Sequence, residues 1–295
     1  MKDFKSGFVA VIGRPNVGKS TLLNTIIGQK IVIATDKAQT TRRRIKGIFT
    51  NEEGQIVFID TPGIHKPLDK LGEYLMDEAK YSIPDADLIL FIVDVSEPAG
   101  AGDKWIVENL LKETKTPVII VLNKVDKLKD PIKKEQNLLT YKMLFDTNLP
   151  TAKISAQTGR NIDTLISTIM RKLPEGAPIY AEDDLTDESM RSIAQEIIRE
   201  KILLNTKDEI PHSVAVLIEK YEEKEDIDKI YAKIHVEHES QKGIMIGKKG
   251  QMLKTIGMQA RKELEKMLDK KVYLELNVKV SKDWRKNTPD LENWV

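Results

Sequence analysis

Eight residues, Gly13-Arg14-Pro15-Asn16-Val17-Gly18-Lys19-Ser20, have the spacing G-x-x-x-x-G-K-[ST]. In such a loop consecutive backbone N–H groups point at phosphate oxygens, and the positive end of the following helix stands behind them. Lys19 is placed to reach the β and γ phosphates of a nucleoside triphosphate, and the Ser20 hydroxyl to bind Mg2+. Thr21 carries the site into the helix. Asp60-Thr61-Pro62-Gly63 follows an apolar run. A carboxylate there can hold Mg2+ through water, and the Gly63 amide can sense a γ-phosphate, because glycine lets the backbone come close. Asn123-Lys124-Val125-Asp126 is a base reader. Guanine presents adjacent N1–H and N2–H2 donors that suit the Asp126 carboxylate; adenine lacks the pair and would leave that carboxylate unmatched. Lys124 offers an aliphatic stem to pack along the base, and Asn123 can tie neighbouring loops together. Ser155-Ala156 can set a backbone N–H against the guanine carbonyl.

The elements that must position these groups alternate. Strands are expected at 8–12, 44–50, 55–60, 88–94, 117–123 and 153–156, with helices at 21–27, 71–81, 104–115, 134–145 and 162–173. This rhythm predicts a doubly wound α/β sheet, and the motifs fall at strand C-termini, where such sheets bind ligands. Pro174-Glu175-Gly176-Ala177-Pro178 ends the pattern. The expected division is a nucleotide domain at 1–174, a linker at 175–187, a smaller α+β domain at 188–286 and a tail at 287–295. Within the smaller domain a helix at 188–204 precedes strands at 212–220 and 229–238, a segment at 243–256, a helix at 257–270 and a strand at 272–280.

The smaller domain has its own motif, Gly247-Lys248-Lys249-Gly250, with Ile246 before it and Lys254 after it. A G-x-x-G loop between helices is how KH domains clamp single-stranded nucleic acid: the glycines admit the sugar–phosphate chain and the lysines neutralise it. Net charge over the 295 residues is only +1, which conceals a strong asymmetry. Residues 241–286 carry 13 Lys and Arg against 5 Asp and Glu, whereas 181–240 carry 8 against 17. A basic stripe of this kind is the electrostatic footprint of nucleic-acid binding. Lys282, Trp284 and Arg285 add an aromatic among basic residues, with Trp284 a candidate to stack on a base and equally a candidate to pack against its domain. The absence of cysteine excludes disulfides, thiolate zinc sites and cysteine nucleophiles. No apolar run reaches the length of a membrane span, and a reducing cytoplasm is the expected compartment.

The series Gly13–Ser20, Asp60–Gly63, Asn123–Asp126 and Ser155-Ala156 resembles the translation-factor-related GTPases. That resemblance implies a first switch loop at 35–44, in which a threonine closes over Mg2+. Thr40 and Thr41 are both candidates; relatives with a Gly-Thr-Thr-Arg switch favour Thr41, although Gln39 stands here where they have glycine. Many GTPases place a water-orienting glutamine at the position of Ile64. Isoleucine cannot hydrogen-bond, so the resemblance implies slow basal hydrolysis by another route. Some relatives with asparagine at the Asn16 position recruit K+ beside the phosphates, which makes K+ a candidate second cofactor. With a type II KH domain behind it, the chain resembles the bacterial ribosome-assembly GTPases. This implies GTP and GDP as ligands, small-subunit ribosomal RNA near its 3′ end and the small subunit itself as partners. It also implies a cytoplasmic monomer, found in some relatives peripherally at the inner face of the cell membrane. The guanine reader argues against a metabolic kinase with the same phosphate loop. An RNA-binding protein that holds GTP as a structural ligand stays open at this level.

Overall fold

A computed structural model describes residues 4–35, 37, 40–67, 69–145, 149–207 and 210–294, except the side chain of residue 134. Gln39, the switch position that departs from relatives, lies outside the described residues. The chain forms two compact units, Met1–Asp187 and Glu188–Val295.

The first unit is a six-stranded sheet built from β1 (Lys5–Ile12), β2 (Ile45–Asn51), β3 (Gly54–Asp60), β4 (Leu88–Asp94), β5 (Val118–Asn123) and β6 (Thr151–Lys153). Its order is β2-β3-β1-β4-β5-β6, with β2 antiparallel to β3 and the other pairs parallel. Strands buried on both faces read as unbroken apolar runs. Accordingly Val9 and Val11 enter one core while Ala10 and Ile12 enter the other. The helices are α1 (Lys19–Ile27), α2 (Lys70–Tyr81), α3 (Ala101–Ile106), α4 (Pro131–Lys142) and α5 (Ile162–Met170). Local chemistry sets their starts. The Asp69 carboxylate accepts the Gly72 N–H at 2.8 Å, and Asp130 caps α4 ahead of Pro131.

Three expectations change here. The helix expected at 104–115 starts three residues earlier, because Asp103 folds back to accept the Gly100 N–H at 2.9 Å; it then widens into a π-helical turn at Val107–Leu111. The last strand is Thr151–Lys153, since Ser155 pairs with Arg160 and turns the chain out of the sheet. The segment expected as a linker is strapped to the sheet. Ile48 donates its N–H to the Leu185 carbonyl at 2.9 Å, Thr186 Oγ1 donates to the Lys46 carbonyl at 2.7 Å, and Gln55 Oε1 accepts the N–H groups of Ile179 and Tyr180 at 2.7 and 2.9 Å. An open edge at β2 has free N–H and C=O groups, and residues 179–187 cover it.

The second unit comprises α6 (Met190–Asn205), α7 (Ile210–Ser213), β7 (Ala215–Glu222), β8 (Ile227–Val236), α8 (Glu239–Ile246), α9 (Gln251–Leu268), β9 (Lys271–Val280) and α10 (Thr288–Trp294). Its sheet runs β7-β8-β9, antiparallel then parallel. Ile198, Ile234, Met245, Ile256 and Leu264 share its core. The expected tail at 287–295 is instead a packed helix over 288–294: Leu291 is buried and the Trp294 ring stacks on His235 at 4.0 Å. No helix among the described residues is long and apolar enough to cross a membrane.

Candidate functional site

The phosphate loop runs from β1 into α1. Gly18 takes φ +98°, and a Cβ there would lie 2.4 Å from Asn123 Nδ2, so only glycine permits this contact. Asn123 Nδ2 donates to the Val17 carbonyl at 2.8 Å, and Asn123 Oδ1 accepts the Ala156 N–H at 2.9 Å. The base-reading loop, the phosphate loop and the Ser155-Ala156 turn are thus knotted by one side chain. Gly63 lies against Pro15, where an added Cβ would be 2.8 Å from Pro15 Cα. Ile64 donates its N–H to the Gly13 carbonyl at 3.1 Å, and the Thr61 hydroxyl donates to the Val11 carbonyl at 2.7 Å. Pro62 and Val125 are buried between these loops and the core.

Lys19 Nζ donates to the carbonyls of Gly13 and Arg14, each at 3.1 Å. Burial pushes this ammonium down to about 8, against the pull of Asp60. Beside it Ser20, Thr41 and Asp60 converge. Ser20 Oγ donates to Asp60 Oδ2 at 2.9 Å, Thr41 Oγ1 donates to the same oxygen at 3.1 Å, and the two hydroxyls are 3.0 Å apart. Asp60 is fully buried; desolvation raises its pKa, opposed by Lys19 and by the two hydroxyls. Its Oδ1 is buried with no hydrogen-bond partner among the described residues. An orphaned carboxylate oxygen beside two hydroxyls is a hard-oxygen donor set that fits Mg2+. Thr40 lies elsewhere, in a local turn with Thr35 Oγ1 at 2.7 Å and the Lys37 carbonyl at 2.6 Å.

Lys124 Nζ bridges the Asn16 carbonyl and Asp94 Oδ2, both at 2.6 Å, which extends its stem across the base site. Asp126 is exposed at the mouth of that site. The amides of Ser155 and Ala156 are already engaged, the first with the Arg160 carbonyl at 3.2 Å and the second with Asn123. Arg14 serves the cradle through its backbone. Its guanidinium turns away to Asp103 Oδ1 at 2.8 Å and Glu97 Oε1 at 2.7 Å. Burial works against that charge, but the bond to Glu97 and the field of Asp103 outweigh it and raise the pKa. Ile64 is buried in the core with Ala10 and Ile12, so its side chain does not face the phosphates.

Sequence reasoning missed Asp94 and Thr25. Asp94 ends β4 as Asp60 ends β3, so its place at a strand C-terminus was a usable signal. Thr25 Oγ1 donates to the Ala156 carbonyl at 2.8 Å, a contact that no local pattern announces.

In the second unit, Gly247, Lys249 and Gly250 take φ of +72°, +53° and +76°, forming a tight loop between α8 and α9. Lys248 and Lys249 stand exposed, Lys254 follows on the exposed side of α9, and Ile246 anchors the loop from α8. Lys282 is exposed. Two candidates are withdrawn. Trp284 is 0% exposed and donates Nε1–H to the Ser213 carbonyl at 3.0 Å, so its ring is core and cannot stack on a base. The Arg285 guanidinium is held by Glu237 Oε2 at 2.9 and 2.5 Å, which spends its charge inside the unit.

Fold and sites together define a P-loop GTPase domain joined to a KH domain. Residues 8–124 match the family described as 50S ribosome-binding GTPase, and residues 209–285 match the KH domain family. GTPase Era of Rippkaea orientalis (strain PCC 8801 / RF-1) is 50% identical over 288 residues, covering 97% of this chain and 91% of that protein. The crystal structure of a tyrosine-to-alanine variant of Aquifex aeolicus Era bound to GDP·AlF4− superposes with a TM-score of 0.94 at 42% identity, covering 99% of both chains. Era in complex with MgGDPNP and nucleotides 1506–1542 of 16S ribosomal RNA superposes with a TM-score of 0.95, also at 42% identity, covering 99% of this chain and 98% of that one. The chain belongs to the Era family of GTPases.

Proposed function

We propose that this GTPase acts as a GTP-operated RNA chaperone: it binds small-subunit ribosomal RNA near the 3′ end through its KH unit and assists maturation of that subunit. The observation that carries the catalytic half is the convergence of Ser20 and Thr41 on Asp60 beside buried Lys19. Ser20, Thr41 and, through water, Asp60 would hold Mg2+, which supplies positive charge to the β and γ phosphates. Lys19 leaves the Gly13 and Arg14 carbonyls for the phosphates, and the Gly63 amide meets the γ-phosphate. Water attacks the γ-phosphorus, the bond to the β–γ bridging oxygen breaks, and GDP and phosphate are the products. Asp126 selects guanine while Lys124, fixed by Asp94, packs along the base. With Ile64 in the core, no side chain at that position orients the water, which supports slow basal turnover. K+ beside Asn16 is the proposed source of further charge, and the protein works as a monomer.

The RNA half is supported by the exposed lysines of the Gly247–Gly250 loop and by the RNA complex of the 42%-identical relative. Crosslinking in cells, followed by sequencing of the bound RNA, tests it: reads should concentrate at the 3′ end of small-subunit RNA, and an even spread over unrelated RNAs would refute it. Phosphate release at equal ionic strength in K+ and Na+ tests the cation. Faster release in K+ is expected; equal rates would remove K+ from the account. Asp60→Asn should abolish release in both.

A further inference from the structure

Two separate sets of side chains anchor the phosphate loop. Its back half is tied from the base site: Asn123 Nδ2 donates to the Val17 carbonyl at 2.8 Å and Lys124 Nζ to the Asn16 carbonyl at 2.6 Å. Its front half, Arg14-Pro15, is tied from the segment that opens α3. Arg14 Nε donates to Asp103 Oδ1 at 2.8 Å, and Nη2 donates to Glu97 Oε1 at 2.7 Å. Asp103 is 0% exposed and its other oxygen accepts the Gly100 N–H at 2.9 Å, so both ends of that carboxylate are fixed. The Glu97 carbonyl accepts the hydroxyl of fully buried Tyr141 at 3.2 Å. Gly102 completes the seat. It is the second residue of α3 and takes no positive φ. A Cβ there would lie 2.7 Å from Arg14 Cδ, so the stem of Arg14 is what excludes a side chain. Glu97, Gly102 and Asp103 are shaped to one guanidinium.

The next residue shows what the seat governs. Pro15 packs against Gly63 so closely that a Cβ on Gly63 would lie 2.8 Å from Pro15 Cα and 2.9 Å from its Cγ. Proline has a fixed φ and no N–H, so Pro15 passes the position of Arg14 to Gly63 with little slack. Just beyond, the Ile64 N–H is held by the Gly13 carbonyl at 3.1 Å. We infer that Arg14 is a positioning residue that separates GTP from GDP: seated on Asp103, Glu97 and Gly102, it holds Pro15 as the stop against which the Gly63 amide meets the γ-phosphate. The back half of the loop, tied to Asn123 and Lys124, serves both nucleotides alike. This inference rests on the reading of the Gly63 amide as the γ-phosphate contact.

The test is the ratio of two affinities, which a merely structural role would leave alone. Dissociation constants of GDPNP and of GDP, each with Mg2+, are measured by calorimetry for the full chain and for Arg14→Gln, Gly102→Ala and Gly63→Ala. Arg14→Gln and Gly102→Ala should each weaken GDPNP about tenfold, the worth of one hydrogen bond to a charged group, and leave GDP within about twofold. Retained GDP binding also reports a folded site. Gly102→Ala keeps every charge and puts a better helix former into α3, so its effect is the displacement of Arg14 and not a weaker helix. Gly63→Ala should shift the ratio in the same direction. A shifted ratio in Gly63→Ala with the wild-type ratio in Arg14→Gln or Gly102→Ala overturns the role of Arg14 alone. Equal loss of both nucleotides in Gly102→Ala makes Arg14 a general brace of the cradle and also overturns it. An unchanged ratio in Gly63→Ala overturns the Gly63 reading itself.

Discussion

The nucleotide site and the RNA surface hold charge in opposite ways. In the first unit Lys19, Asp60, Thr41 and Asn123 are buried, and each has its bonds placed before any ligand arrives. In the second unit Lys248, Lys249, Lys254 and Lys282 are exposed. A buried polar cluster gives strong, direction-dependent interactions in low dielectric, which suits the recognition of one nucleotide. Exposed lysines give counterion release, which tolerates sequence and responds to salt. Selectivity for guanine then rests on loops that Asn123 and Lys124 fix in place, whereas the exposed lysines add affinity for RNA of any sequence.

The largest test concerns the boundary between core and RNA surface. Trp284→Ala should destabilise the KH unit by roughly 3–5 kcal/mol, the cost of removing a buried aromatic. Urea unfolding checks it; a stable variant that has only lost RNA affinity would return Trp284 to the surface. Lys19→Ala should weaken GTP binding by about 100-fold or more, as expected on loss of a buried charge-assisted contact. Calorimetry with a slowly hydrolysed analogue measures this. On the exposed side, the Lys248→Ala/Lys249→Ala variant should reduce the slope of log affinity for RNA against log salt by about 2, near one unit for each phosphate contact. An unchanged slope would remove those lysines from the phosphate path.

Two pH profiles sharpen the comparison further. Before ligand binds, Lys19 loses its proton near 8, whereas phosphate favours the ammonium. GTP binding above pH 8 should therefore take up as much as one proton, and affinity should fall by up to about tenfold per pH unit there. Calorimetry in buffers of different ionisation enthalpy detects the proton. In the KH unit, burial, helped by Lys279 and Lys233, holds His235 down to about 4 from 6.5. The unfolded chain then binds more protons between 4 and 6.5, so stability is complete above 6.5 and is lost as pH falls towards 4. The whole effect is at most ~3 kcal/mol. His235→Phe should flatten that part of the urea-stability profile.

Much of the nucleotide site was legible because its chemistry is local: Gly18, Lys19, Ser20, Asp60 and Asn123 sit in short runs at strand ends. The KH loop was legible for the same reason. What escaped depends on partners distant in sequence. Trp284 and Arg285 read as an aromatic and a cation among lysines, yet Ser213 and Glu237 claim them. Arg14 reads as part of a phosphate loop, and its charge goes to Glu97 and Asp103. Residues 179–187 read as a linker because nothing in their composition shows that β2 needs its edge covered. The helix expected from Gly257 in fact starts at Gln251, directly after the Gly247–Gly250 loop, because the left-handed Gly250 caps it there.

One claim joins both regions, that the nucleotide controls RNA binding. Switching works only if the GTP-bound form has a different RNA affinity from the GDP-bound form. The direct measurement is the dissociation constant of RNA spanning the 1506–1542 segment with the protein saturated by GDPNP, by GDP, or by neither, at fixed salt. Tighter binding is expected with GDPNP than with GDP. Equal affinities in all three would contradict it.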